Sequence, residues 1–150
     1  MFGCGDPRLN EFALTNAVGR GTDTTTAVSR LLFSGHFLKY SGMKFVLSHG
    51  GGAIPYMMGR LAKNYDIHPG QYSDPVASFA KLYYDSVLFA PEALTFLCSS
   101  CGHDKVMLGS DYPFPIGDMT PLKVIDASGF TDSQRNMIVG ETAAKLFGIS

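Results

Sequence analysis

Three short apolar runs, each followed by a stretch of helical character, constrain the fold of this chain more than any other feature. Residues 44–48 (KFVLS), 82–88 (LYYDSVL) and 105–109 (KVMLG) have the length and composition of buried strands. Thr22 and Asp23 are candidate N-caps for a helix to about Tyr40, with Ala27, Val28, Leu31, Leu32 and Leu38 on one face and Gly42 as its stop. Further helices are predicted over 54–65, 74–81 and 91–100, the last with Pro91 in its first turn. Thr131-x-x-Gln134 reads as a capping box opening a final helix that turns Met137, Ile138, Leu146 and Phe147 inward and closes at Gly148. Strands separated by helices, with no Asn-Gly hairpin signal, imply parallel βα units. Three strands at this spacing fit either a barrel or a doubly wound sheet; a complete eight-stranded barrel takes about 250 residues, so 150 residues could supply only about half of one. Residues 1–22, with Gly3, Gly5, Pro7, Gly19 and Gly21, read as a loop rather than a first strand.

Composition narrows the functional classes. Hydrophobic residues make up 45% and charged residues 17%, which is globular rather than disordered. A net charge of -1 offers no footprint for nucleic acid or an anionic membrane surface. No apolar run nears the roughly 18 residues of a membrane span. Asp6, Arg8, Asn10 and Glu11 break up the start, so it does not read as a signal peptide. Three cysteines cannot all pair within the chain, and the expectation is reduced thiols in the cytoplasm.

His49 and Asp111 are the two polar residues placed at the C-terminal ends of predicted strands, the edge where parallel α/β folds build chemistry. A carboxylate can bind a divalent ion or accept a proton, and an imidazole can shuttle one near neutral pH. Each also has a structural reading: His49 as a hydrogen-bonded residue, Asp111 as a turn cap before Pro113. Gly50-Gly51-Gly52 lacks the lysine and order of a phosphate loop and reads as backbone passing close to a neighbour. Cys98-x-x-Cys101 shares a helical face with Leu94 and Leu97, so core packing is favoured over a zinc site with His103. His36 and His68 read as surface residues, and Tyr83, Tyr84 and Phe89 as packing.

The string from Val46 through His49-Gly50-Gly51-Gly52 to Tyr56, with Gly59-Arg60-Leu61, resembles the amidohydrolase-related family. So does Met107-Leu108-Gly109-Ser110-Asp111-Tyr112-Pro113-Phe114-Pro115, which looks most like the family's decarboxylase branch. The stretch from Thr24 to Gly35 and the ending Ala143-Ala144-Lys145-Leu146-Phe147-Gly148 also fit. The resemblance implies the C-terminal half of a (β/α)8 TIM-type barrel, about strands 6 to 8, as a single partial domain over residues 1–150. It implies a mononuclear divalent metal, zinc or else manganese, with Asp111 as a ligand and His49 as the catalytic acid/base. It further implies that Arg60 reaches a substrate carboxylate in the partner subunit and that Phe114 lines the pocket. The family's first-strand His-x-His pair has no counterpart, and its fifth-strand histidine would lie before Met1. Glu141-Thr142 stands where relatives often have an asparagine.

The expected activity is non-oxidative decarboxylation of an unsaturated or aromatic carboxylic acid, with the isolated chain silent. A hydrolase or hydratase on the same scaffold, and a non-catalytic truncated half-barrel, are the alternatives. Open parallel edges imply a homodimer or pairing with an N-terminal half.

Overall fold

The computed structural model describes residues 5–149; the first four residues of the expected N-terminal loop lie outside them. The chain groups into two compact units, Met1–Phe45 with Gly51–Leu82 and Val46–Gly50 with Tyr83–Ser150.

In the first unit, Asp6 caps a 3-10 turn at Pro7–Leu9 by accepting from the Arg8 N–H at 3.0 Å. A π-helical turn, Thr15–Gly19, then runs directly into α1 (Arg20–Phe33). The loop expected over 1–22 is therefore helical from Thr15, and neither Thr22 nor Asp23 is an N-cap. Gly19 and Gly21 look like loop residues in the sequence but lie in these helical turns, and the close approach here is made by Gly52. A Cβ on Gly52 would stand 2.6 Å from the Gly21 carbonyl oxygen and 2.8 Å from Thr25 Oγ1. The same hydroxyl donates to the Gly21 carbonyl at 2.7 Å and accepts from the Ala53 N–H at 2.9 Å, tying α1 to the start of α3. Gly35, at φ 71°, breaks the long helix expected to reach Tyr40. A short helix, α2 (His36–Lys39), follows, and the change of phase buries Phe37 while leaving Leu38 37% exposed. Helix α3 (Ile54–Asp66) buries Ile54 and Pro55. Helix α4 (Pro75–Phe79) is capped by the Asp74 carboxylate, which accepts from the Val76 and Ala77 N–H groups. Both α3 and α4 pack on α1.

The second unit carries the sheet. Strands β1 (Phe45–Leu47), β2 (Leu82–Asp85) and β3 (Val106–Met107) lie in the order β1-β2-β3. β2 and β3 are parallel, with Tyr84 opposite Val106 and Asp85 opposite Met107. The strands are shorter than the apolar runs. Beyond them the chain bonds to side chains and turns rather than to the ladder. Leu47, Tyr84, Val87, Val106 and Met107 are buried in this unit. Helix α5 (Pro91–Cys101) begins at Pro91 and turns Leu94, Leu97 and Cys98 into the core, as its spacing predicts. Helix α6 (Leu122–Ala127) packs beside it through Ile125. The capping box is present: Thr131 Oγ1 accepts from the Gln134 N–H at 3.3 Å, and Gln134 Oε1 accepts from the Thr131 N–H at 2.9 Å. It opens α7 (Asp132–Asn136), which passes through a π-helical turn, Met137–Glu141, into α8 (Thr142–Phe147), closed by left-handed Gly148. The wider turn changes the helical phase. Ile138 is fully buried, Met137 and Leu146 are half-buried, and Phe147 is 62% exposed rather than inward. Phe89, expected in the packing, is half-exposed. Among the described residues no helix is long and apolar enough to cross a membrane.

Two outcomes follow from this packing. Gly52→Ala meets both a left-handed backbone, costing about 1–2 kcal/mol, and a carbonyl that cannot retreat, adding about 1–3 kcal/mol. Gly129→Ala, also left-handed but in open space, loses only the first part, and urea unfolding of the two variants measures the difference. Burial pushes the Cys98 thiol up to about 12, and burial with the neighbouring Cys98 and Asp104 does the same for Cys101. The reactive thiolate is therefore scarce at pH 8. A thiol reagent is expected to label Cys98 and Cys101 in denaturant and neither of these two in the folded chain.

Candidate active site

The site forms where β1 and β3 end. β1 leads through Ser48 to His49, and β3 leads through Leu108, Gly109 and Ser110 to Asp111. His49 Nε2 stands 3.5 Å from Asp111 Oδ1, with the side chains 31% and 19% exposed. This is ion-pair range, but longer than a well-formed hydrogen bond. The pair can exchange a proton through small movements or one water, and both groups stay open to a ligand.

Each chain turns sharply as it leaves its strand. His49 (φ 54°), Phe89 (φ 60°) and Asp111 (φ 57°) all adopt the left-handed conformation. A non-glycine residue there costs about 1–2 kcal/mol, and such residues collect at functional sites. The glycine run behaves as its composition suggests: Gly50 is at φ 60°, and a Cβ on it would lie 2.6 Å from Leu88 Cδ2. The Gly50 N–H donates to Asp85 Oδ1 at 2.9 Å, and the Val87 N–H donates to the same oxygen at 3.2 Å. On the opposite side of β2, the Gly109 N–H donates to Ser86 Oγ at 3.2 Å. Ser86 is buried, and a Cβ on Gly109 would sit 2.9 Å from both Asp85 Cβ and Val87 Cγ2.

Beyond Asp111 the chain folds back on itself. The Phe114 N–H donates to the Asp111 carbonyl at 3.0 Å, the Gly117 N–H to the Phe114 carbonyl at 2.8 Å and the Asp118 N–H to the Ser110 carbonyl at 2.8 Å. Any Cβ on Gly117 would stand 2.8, 2.9 and 3.0 Å from the Ser110, Phe114 and Asp111 carbonyl oxygens. This tight loop holds Tyr112 and Phe114 outward, 75% and 59% exposed.

The structure thus brings His49 and Asp111 together, with Phe114 three residues beyond Asp111 on the same loop. Arg60 is exposed on α3, in the first unit. Asp85 and Ser86 escaped the sequence reading because they lie inside an apolar run. Asp85 ends the observed strand and Ser86 follows it, at the same edge as His49 and Asp111, a position hidden by the longer strand predicted over 82–88. Among the described residues no group of three or more His, Cys, Asp or Glu side chains is placed to hold a metal ion. Structural and catalytic zinc sites take three or four protein ligands. Asp111 offers one, so these side chains alone do not complete a metal site.

Comparison with known proteins extends these observations. A family model described as amidohydrolase matches residues 4–149. The 2-amino-3-carboxymuconate-6-semialdehyde decarboxylase of Dictyostelium discoideum is 30% identical over 97% of this chain and 42% of its own length. The crystal structure of 5-carboxyvanillate decarboxylase from Sphingomonas paucimobilis superposes with a TM-score of 0.82 at 25% identity, covering 95% of this chain and 45% of that one. A dihydroxybenzoic acid decarboxylase from Polaromonas sp. JS666, solved with bound manganese and the inhibitor 2-nitroresorcinol, matches with a TM-score of 0.75 at 24% identity, over 86% of this chain and 41% of that one. The chain therefore spans less than half the length of these relatives. Its parallel strands and flanking helices are part of their TIM-type barrel. With the family model matched over almost its whole length, the chain belongs to the amidohydrolase family.

Proposed function

We propose that this chain carries the acid/base half of a metal-dependent, non-oxidative decarboxylase acting on an unsaturated or aromatic carboxylic acid. The observation that carries the reading is the His49–Asp111 pair, 3.5 Å apart at the C-terminal edge of a parallel sheet. In the reaction the bond to the carboxylate carbon breaks, its electron pair stays on the substrate carbon, and a proton replaces the departing CO2. His49 supplies that proton, and Asp111 stabilises the protonated imidazole before transfer. Arg60 reaches a substrate carboxylate in the partner subunit by paired N–H contacts, and Phe114 gives an apolar wall that favours loss of charge as CO2 forms. A divalent ion would supply electrostatic stabilisation of developing negative charge. With one candidate ligand in the chain, no step assigned to these side chains passes through it. Manganese is the first ion to test, in view of the solved relative that holds it, and zinc the second.

The remaining ligands come in this reading from a partner, either a second copy or a polypeptide equivalent to the rest of a relative. β1 and β3 are the edges of the described sheet, and a parallel sheet open at both sides favours such pairing. The cytoplasmic location rests on the odd cysteine count.

Elemental analysis of the purified chain after incubation with manganese or zinc and desalting is expected to find well under one ion per chain. A full equivalent would mean that copies of this chain complete the site between them. In an active assembly, His49→Ala is expected to lower turnover by about 100-fold or more while metal content is kept, and Asp111→Ala to lose the metal. Equal metal loss in both would end this division of roles. Turnover of a lactone with no release of CO2 from aromatic acids would replace the decarboxylase reading with a hydrolase.

A further inference from the structure

We infer that Asp85 and Ser86, the polar pair at the end of the central strand, are positioning residues that set His49 and Asp111 independently, one on each side of β2. The inference rests on the reading of His49 and Asp111 as the reacting pair, and it adds the device that holds them at working distance.

Asp85 Oδ1 accepts two N–H groups, that of Gly50 at 2.9 Å and that of Val87 at 3.2 Å. The first comes from a residue 35 positions earlier, immediately after His49. Charge-assisted hydrogen bonds to a half-buried carboxylate are stronger than neutral ones. This one fixes the peptide plane between His49 and Gly50, and so the direction in which a left-handed His49 leaves β1. Ser86 acts on the other neighbour. Its buried hydroxyl accepts from the Gly109 N–H at 3.2 Å, two residues before Asp111. The missing side chain of Gly109 lets that approach occur, because a Cβ would strike Asp85 and Val87. Asp85, the last residue of β2, and Ser86, the next, thus reach opposite neighbours. Neither Asp85 nor Ser86 need touch substrate, and each acts through a backbone N–H on a residue that does. The left-handed conformations of His49 and Asp111 are costly, and these two hydrogen bonds offset part of that cost.

The test uses the 15N-labelled chain with no metal and no substrate, so failure of the decarboxylase reading leaves its result intact. In Asp85→Ala, amide exchange at Gly50 is expected to accelerate by about 10-fold or more and the His49 resonances to move, while Gly109 and Asp111 stay as in the parent. Ser86→Ala is expected to give the mirror result, with Gly109 and Asp111 affected and His49 unchanged. Asp85→Asn keeps an oxygen acceptor and is expected to restore Gly50 protection, which separates positioning from a general loss of stability. Where an active assembly is available, Asp85→Ala lowers kcat by about 10- to 100-fold with KM held within about two-fold, and Asp85→Asn recovers most of it. The inference is overturned if Gly50 keeps parent-level protection in Asp85→Ala. It is equally overturned if either alanine variant loosens both sides together, or if Asn fails to rescue.

Discussion

Backbone pairing across β2 is the constraint on which the site depends. β2 is the central strand of the described sheet, and its parallel register with β3 sets Asp85 opposite Met107. Because side chains alternate along a strand, that register decides which residues meet the turn after β1 and which meet the loop after β3. The ladder itself is short. Hydrogen bonding continues past it through Asp85 and Ser86, so that side chains take over from the backbone where the neighbouring chains diverge.

This handover explains which parts of the molecule could be read from sequence. The three apolar runs marked the strands because each strand buries at least one face: β2 alternates buried with half-buried residues, and both residues of β3 are buried. Pro91 and the Thr131–Gln134 box marked helix starts because their chemistry is local. His49 and Asp111 were legible because polar residues following apolar runs stand out. Features that depend on partners distant in sequence were hidden. Gly52 reads as one more glycine of a run until the Gly21 carbonyl, 31 positions earlier, is found against it. Asp85 reads as an interruption in an apolar strand until the Gly50 N–H is found on it. Phase errors had one common source: the break at Gly35 and the π-helical turn at Met137–Glu141 each shift the helical period, so Leu38 and Phe147 face out where even spacing turns them in.

The site joins strain to incompleteness. Three non-glycine residues in left-handed conformations follow the three strands, and each tips its chain across the sheet edge. That geometry presents an imidazole and a carboxylate to one small volume without allowing them to close into a short hydrogen bond. A tight pair would satisfy both groups and leave little drive to engage a ligand. The gap suits groups that must alternate between each other, a substrate and water. Among the described residues the imidazole–carboxylate geometry is preformed, while no group of three or more metal-binding side chains is assembled.

The π-helical turn between α7 and α8 makes chain length itself part of the structure. Its widened ring directs the Ile138 carbonyl to the Leu108 N–H at 2.7 Å, on the segment that leads to Asp111. Such a turn holds one residue more than an ordinary helix needs. Removing one residue from Met137–Glu141 would close the helix into regular α geometry, rotating everything beyond it by about 100° and withdrawing that carbonyl. The number of residues in this stretch is therefore a structural requirement in its own right, beside the burial of the Ile138 side chain.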